Sequence, residues 1–91
     1  MNDEKPYYIY VLLTKFNTLY CGYTDNVEKR FEKHLSGHGA KYTKSHKPLK
    51  IVYQQKYPTK SAAMKAEIKF KRLPKDKKNA VINGYLTLDE L

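Results

Sequence analysis

Apolar positions change period along the chain, and the changes mark the elements. "YYIYVLL", Tyr7 to Leu13, is an aromatic and β-branched run that predicts a strand. "TKFNT" supplies turn residues, with Asn17 at the expected tip, and "LYCGYT" predicts a second strand. So short a connection makes an antiparallel hairpin. "DNVEKRFEKHL" shifts to helical spacing. Val27, Phe31 and Leu35 recur at i, i+4 and i+8, Asp25 and Glu28 have capping-box spacing, and Ser36 and Gly37 end the helix. "GHGAKYTKSHKPLK", Gly37 to Lys50, has no apolar period and is expected as a long basic loop. "KIVYQQKY" predicts a third strand, which can lie beside either hairpin strand.

"TKSAAMKAEIKFKRL", Thr59 to Leu73, predicts a second helix with Ala63, Ala66, Phe70 and Leu73 on its apolar face. Pro74 stops it and suits N1 of a third helix, "PKDKKNAVIN", with Gly84 as its C′ residue. The expected fold is α+β in the order ββαβαα, a small antiparallel or mixed three-stranded sheet flanked by three helices. Residues 1–6 are expected as a polar lead-in, 7–84 as one domain and 85–91 as a tail.

Charge narrows the function classes. The 91 residues hold 18 Lys+Arg against 9 Asp+Glu, a formal charge of +9, alongside 9 Tyr. A basic, aromatic surface suits phosphates and bases together, so nucleic acid is the expected partner ahead of an anionic membrane. The N-terminal apolar run is too short for a membrane span and lacks a signal peptide's basic start. The single cysteine, Cys21, cannot form an internal disulfide, and a reducing cytoplasm is expected. Cys21 itself is expected as a small buried side chain.

Three sets of residues fit a purely structural account poorly. Glu67 falls within roughly 40–60° of both Ala63 and Phe70 around its helix, inside the apolar stripe. A carboxylate there is either paired at the rim or holds a metal. Arg30 and His34, four residues apart, border the stripe of the first helix; they either cover apolar surface or serve a site. Tyr10 and Tyr20 share one sheet face if the hairpin aligns them, with a bare patch at Gly22. His34 and His38 have i, i+4 spacing, but Gly37 breaks the helix between them, so a zinc site is not expected.

Taken in order, these residues resemble the GIY-YIG nuclease family, and its small stand-alone bacterial members most of all. "YIY" at Tyr8 to Tyr10 and "YCG" at Tyr20 to Gly22 correspond to the two halves of the signature, followed by Arg30, His34 and Glu67. The resemblance spans Tyr7 to Leu73. It implies a metal-dependent endonuclease acting on DNA, or on RNA, in repair or processing, with Mg²⁺ or Mn²⁺ as cofactor. By position, Tyr20 is implied as general base and Tyr10 as support for the attacking water. Arg30 would stabilise the phosphate charge, His34 would stand near the nucleophile, and Glu67 would bind the metal. Asn79 lies where some members carry a downstream Asn. Tyr8 replaces the glycine of the first motif, and Tyr23 stands where several of these nucleases carry lysine, a cation that would serve Tyr20.

Gly22, Tyr23, Lys41, Tyr42, Lys44, Lys47 and Lys50 are the expected nucleic-acid contacts, with Gly22 leaving room for a phosphate. A protein partner or a homodimer is an expected source of specificity. Two other readings carry weight: a non-catalytic nucleic-acid-binding module of the same fold, and a protein-interaction domain whose charge serves solubility.

Overall fold

The computed structural model describes residues 5–91. Of the expected lead-in, Met1–Glu4 lies outside the described residues. The order is β1 (Tyr7–Thr14), β2 (Leu19–Thr24), α1 (Val27–Leu35), α2 (Lys41–Ser45), β3 (Pro48–Tyr57), α3 (Lys60–Lys71) and α4 (Lys75–Ile82). A 3₁₀ turn, Leu88–Glu90, follows. The domain is α+β, as the pattern predicts. Its three strands run in the order β2-β1-β3, and both pairings are antiparallel. β3 therefore settles beside β1, and β2 is an edge.

Local chemistry explains the hairpin. Thr14 Oγ1 accepts from the backbone N–H groups of Phe16 and Thr18 at 3.2 and 3.3 Å. Asn17 takes the left-handed φ of 62° that its short polar side chain tolerates. Gly37 and Gly84, both at φ +83°, close α1 and α4 in paired C-terminal hydrogen bonds.

The expected loop from Gly37 to Lys50 differs most. It contains α2, and β3 starts at Pro48, so Lys50 lies in the far edge strand, separated from β2 by β1. No apolar period announces α2 because it is held by long-range polar contacts. Thr43 is buried against His34, and Tyr42 Oη donates to Thr18 Oγ1 at 2.7 Å.

Three smaller expectations shift. The N-cap of α1 is Asn26, whose side chain accepts from Lys29 N, so Asp25 is left free. Pro74 caps α4 from outside and is not its N1 residue. Leu35 is exposed, and the buried positions of α1 are Val27 and His34, with Phe31 packed beside them.

β1 carries a core on each face. Ile9 and Val11, with Cys21, pack under Ala63, Ala66 and Phe70 of α3, joined by Val81 and Leu88. Leu88 brings the last residues into this core. On the other face Tyr10 and Leu12 pack with Val27. Register sets Tyr10 opposite Gly22 and Leu12 opposite Tyr20. A Cβ built on Gly22 would stand 2.5 Å from Tyr10 Oη and 2.7 Å from its Cζ. The glycine thus makes room first for a phenol ring. Among the described residues no helix is long and apolar enough to cross a membrane.

Gly22→Ala is expected to lower the unfolding free energy by about 1–3 kcal/mol, the usual cost of overpacking. Tyr10→Phe alone should also destabilise, by unpairing His34, and the double variant should lose less than the sum of the two because the contact with the hydroxyl is gone. Urea unfolding of these variants checks this, and a Gly22→Ala protein as stable as wild type would contradict the packing.

Candidate active site

A cleft of about 290 Å³ opens along the β2 edge, where α1 and α3 meet from opposite faces of the sheet. Tyr10 of β1, Tyr20, Gly22 and Tyr23 of β2, Arg30 of α1 and Glu67 of α3 all line it. Four elements thus deliver polar groups to one concavity.

Tyr10 is buried, and its hydroxyl lies 2.8 Å from His34 Nε2. The other ring nitrogen, Nδ1, lies 2.8 Å from Thr43 Oγ1, which donates to the Ala40 carbonyl at 2.9 Å. With that proton given to the carbonyl, Thr43 accepts from Nδ1–H, and Nε2 is left to accept from Tyr10. This tautomer satisfies the shorter bonds; the Ala40 N–H at 3.4 Å from Nδ1 is the long one. Gly39 is required beside the ring, since a Cβ there would overlap His34 Nδ1. Tyr20 packs edge-on against His34 at 5.1 Å and stacks with Tyr42 at 6.0 Å.

Burial governs the ionisable groups. It pushes the Tyr10 phenol up to about 12, only partly opposed by the Arg30 guanidinium. Tyr20 is also raised, chiefly by burial and further by Glu67, while Lys71 and Arg30 pull the other way. His34 is lowered by burial and then by Arg30, which favours the neutral ring the hydrogen bonds require. Burial and the Glu67 charge push Cys21 up to about 12, so the thiol is a packing group, as expected. Arg30 lines the cleft, and its Nε is buried beneath that surface with no hydrogen-bond partner in range.

The five residues expected to do chemistry therefore come together, four in the cleft wall and His34 behind Tyr10. Tyr23 and Gly22 line the cleft as well. Lys41, Lys44, Lys47 and Lys50 do not line it. Tyr42 lines a neighbouring cleft against Tyr20, and Asn79 is exposed on α4, away from the pocket.

The sequence reading missed Lys71, whose Nζ is 3.6 Å from Glu67 Oε2. Its i, i+4 spacing from Glu67 was the available signal. Lys60, and Asp25 freed from capping, also line the cleft. Thr43 and Gly39, which set the His34 ring, leave no local signal at all.

Among the described residues no three His, Cys, Asp or Glu side chains cluster to hold a metal ion. Glu67 is a largely buried carboxylate facing an open cleft, which Asp25 also lines. One carboxylate completed by waters and substrate oxygens is a donor set that magnesium accepts, so the residues fit such an ion.

Comparison with known proteins agrees with this geometry. The family model described as the GIY-YIG catalytic domain matches residues 6–80. A UPF0213 protein of Cupriavidus necator is 45% identical over 80 residues, 88% of this chain and 87% of that one. One from Staphylococcus saprophyticus is 44% identical, covering 85% of this chain and 94% of its own. Two solution NMR structures are similar, each at 38% identity. A UPF0213 protein of Bacillus halodurans gives a TM-score of 0.56, over 86% of this chain and 83% of that one. A protein from E. faecalis gives 0.59, over 93% and 92%.

The His34 environment sets the sign of a pH effect. Its folded value lies below the ordinary 6.5, so the unfolded chain takes up the proton first. The stability contributed by neutral His34 is present above pH 6.5 and is lost as pH falls through the folded value. Urea unfolding over a pH series should show that decline in wild type and a flatter profile in His34→Gln. Equal slopes would contradict it.

Proposed function

The chain belongs to the GIY-YIG catalytic domain family, and from that premise we propose that it is a metal-dependent endonuclease. Its reaction is hydrolysis of a phosphodiester bond, in DNA ahead of RNA, in the cleft at the β2 edge. The observation that carries this reading is the convergence of Tyr10, Tyr20, Arg30 and Glu67 on that cleft.

Each residue has a physical task. Arg30 supplies a fixed positive charge at the cleft wall, suited to the charge that builds on phosphate oxygens in the transition state. Tyr10 donates its hydrogen bond to His34 Nε2, so its oxygen keeps lone pairs to orient an attacking water. His34 and Thr43 hold that arrangement from behind and are positioning residues. Tyr20 is the candidate base, and its half-buried phenol must lose its proton for that role. Lys71 and Arg30 favour the ionised form, against burial and the Glu67 charge. Glu67 would hold the divalent cation, whose charge would screen the phosphodiester and reverse the effect of Glu67 on Tyr20. Lys71 answers the departure at Tyr23: a cation reaches Tyr20 from α3 in place of one from β2.

Nicking of single-stranded, duplex or branched substrates is expected only with Mg²⁺ or Mn²⁺, and EDTA should stop it. Glu67→Ala and Arg30→Ala should each slow cleavage by roughly 10²-fold or more. A gel assay with end-labelled DNA and RNA measures this. Unchanged cleavage by Glu67→Ala would sink the assignment of the cleft. Salt-sensitive binding with no cleavage on any substrate would leave the non-catalytic binding module in its place.

A further inference from the structure

Tyr20 is a wall shared by two clefts. Beside the first lies a second cavity of about 140 Å³, whose lining includes Leu19, Tyr42, Lys71 and Lys78. Lys78 and Leu19 in turn belong to a third concavity of about 200 Å³, with Asn17, Thr18 and Lys75. The three share walls in series. They trace one trough from the cleft back along the β2 edge to the hairpin tip, with α3 and α4 as its other bank.

That bank is cationic. Lys71 ends α3, and Lys75 and Lys78 are three residues apart on one face of α4. Lys78 is half-buried, with Nζ 5.9 Å from the Phe70 ring centroid, a contact that places the ammonium over the trough. Among the described residues no carboxylate pairs with Lys75 or Lys78; Lys71–Glu67 is the one ion pair. From Gly22 to Thr18 the edge strand runs roughly 13 Å at its normal rise. That is room for a few consecutive phosphates of a strand laid along it. Three lysines along such a length bring positive charge to each of the clefts' shared walls.

We propose that this trough, banked by Lys71, Lys75 and Lys78, seats the phosphates of the nucleic-acid strand on one side of the scissile bond. The proposal rests on the nuclease reading of the cleft and extends it. It moves the main backbone contact from the segment between Lys41 and Lys50 to the α3–α4 bank. The strand then passes over Tyr20, which separates the reacting phosphate from the phosphates held in the trough.

The test measures binding of a fluorescein-labelled DNA oligonucleotide by anisotropy, in EDTA, over a salt series. Lys75→Gln/Lys78→Gln should weaken binding at low salt by about tenfold or more. It should also flatten the plot of log affinity against log salt by roughly 0.7–0.9 for each phosphate that a lysine no longer neutralises. Lys56→Gln/Lys65→Gln, which removes two exposed charges elsewhere, should stay near wild type, and Lys44→Gln/Lys47→Gln should lose less than the trough pair. Lys75→Arg/Lys78→Arg should bind as wild type, which separates the effect of charge from that of folding.

Equal losses in all the Gln pairs, or a larger loss in the Lys44/Lys47 pair, would overturn the proposal. Because the readout is taken without metal, it is independent of cleavage. A selective loss in the trough pair of a protein that never cleaves would refute the nuclease and keep the trough. Cleavage by a protein whose trough pair binds normally would do the reverse, and a wild-type protein that binds no DNA at low salt overturns both.

Discussion

The hydrogen bond from Tyr10 to His34 is the contact around which the molecule is arranged. It joins the central strand to α1 inside the smaller core, where a misplaced polar group would be costly. Two glycines exist beside it for steric reasons: Gly22 clears the phenol and Gly39 clears the imidazole. Thr43 completes the ring's second bond and thereby gives α2 its reason to form. The side chains that face the cleft are therefore supported by a buried polar chain satisfied at every member, the condition under which such a chain rigidifies a structure.

Much of this was legible in the sequence, because periodicity reports local structure. The strand pair, the Val27 and Phe31 face of α1 and the Ala63–Ala66–Phe70 face of α3 follow from spacing alone. So does the odd position of Glu67, and its place in the cleft explains why an acid borders an apolar stripe. Other features were not legible, for a common reason. α2 is five residues long, and Leu88 sits in a short tail; both are fixed by residues distant in sequence. The competition between Asp25 and Asn26 for the N-cap turned on a one-residue difference in where the strand lets go. His34 could be placed near the apolar stripe, but its burial depends on Thr43 and Gly39, which no period connects to it.

The cleft sets two acids, Glu67 and Asp25, among cations. Glu67 faces Lys71 directly and shares the cleft with Arg30 and Lys60. Such a site stays close to neutral only while its acids and bases balance. An anionic ligand would draw on the surplus of positive charge, and a divalent cation would draw on the acids, so the two favour each other. Tyr20 lies between these groups and senses every change in the balance. Its own burial keeps the proton in place until positive charge is added.

Arg30 reaches the cleft from a helix on one face of the sheet and Glu67 from a helix on the other. What separates the two is the body of the hydrogen-bonded sheet, a thickness that few soft motions alter. The β2 edge therefore acts as a fixed gauge. Opposite charges that would otherwise collapse into an ion pair reach one cleft from two faces of a strand, and the strand stands between the helices that carry them.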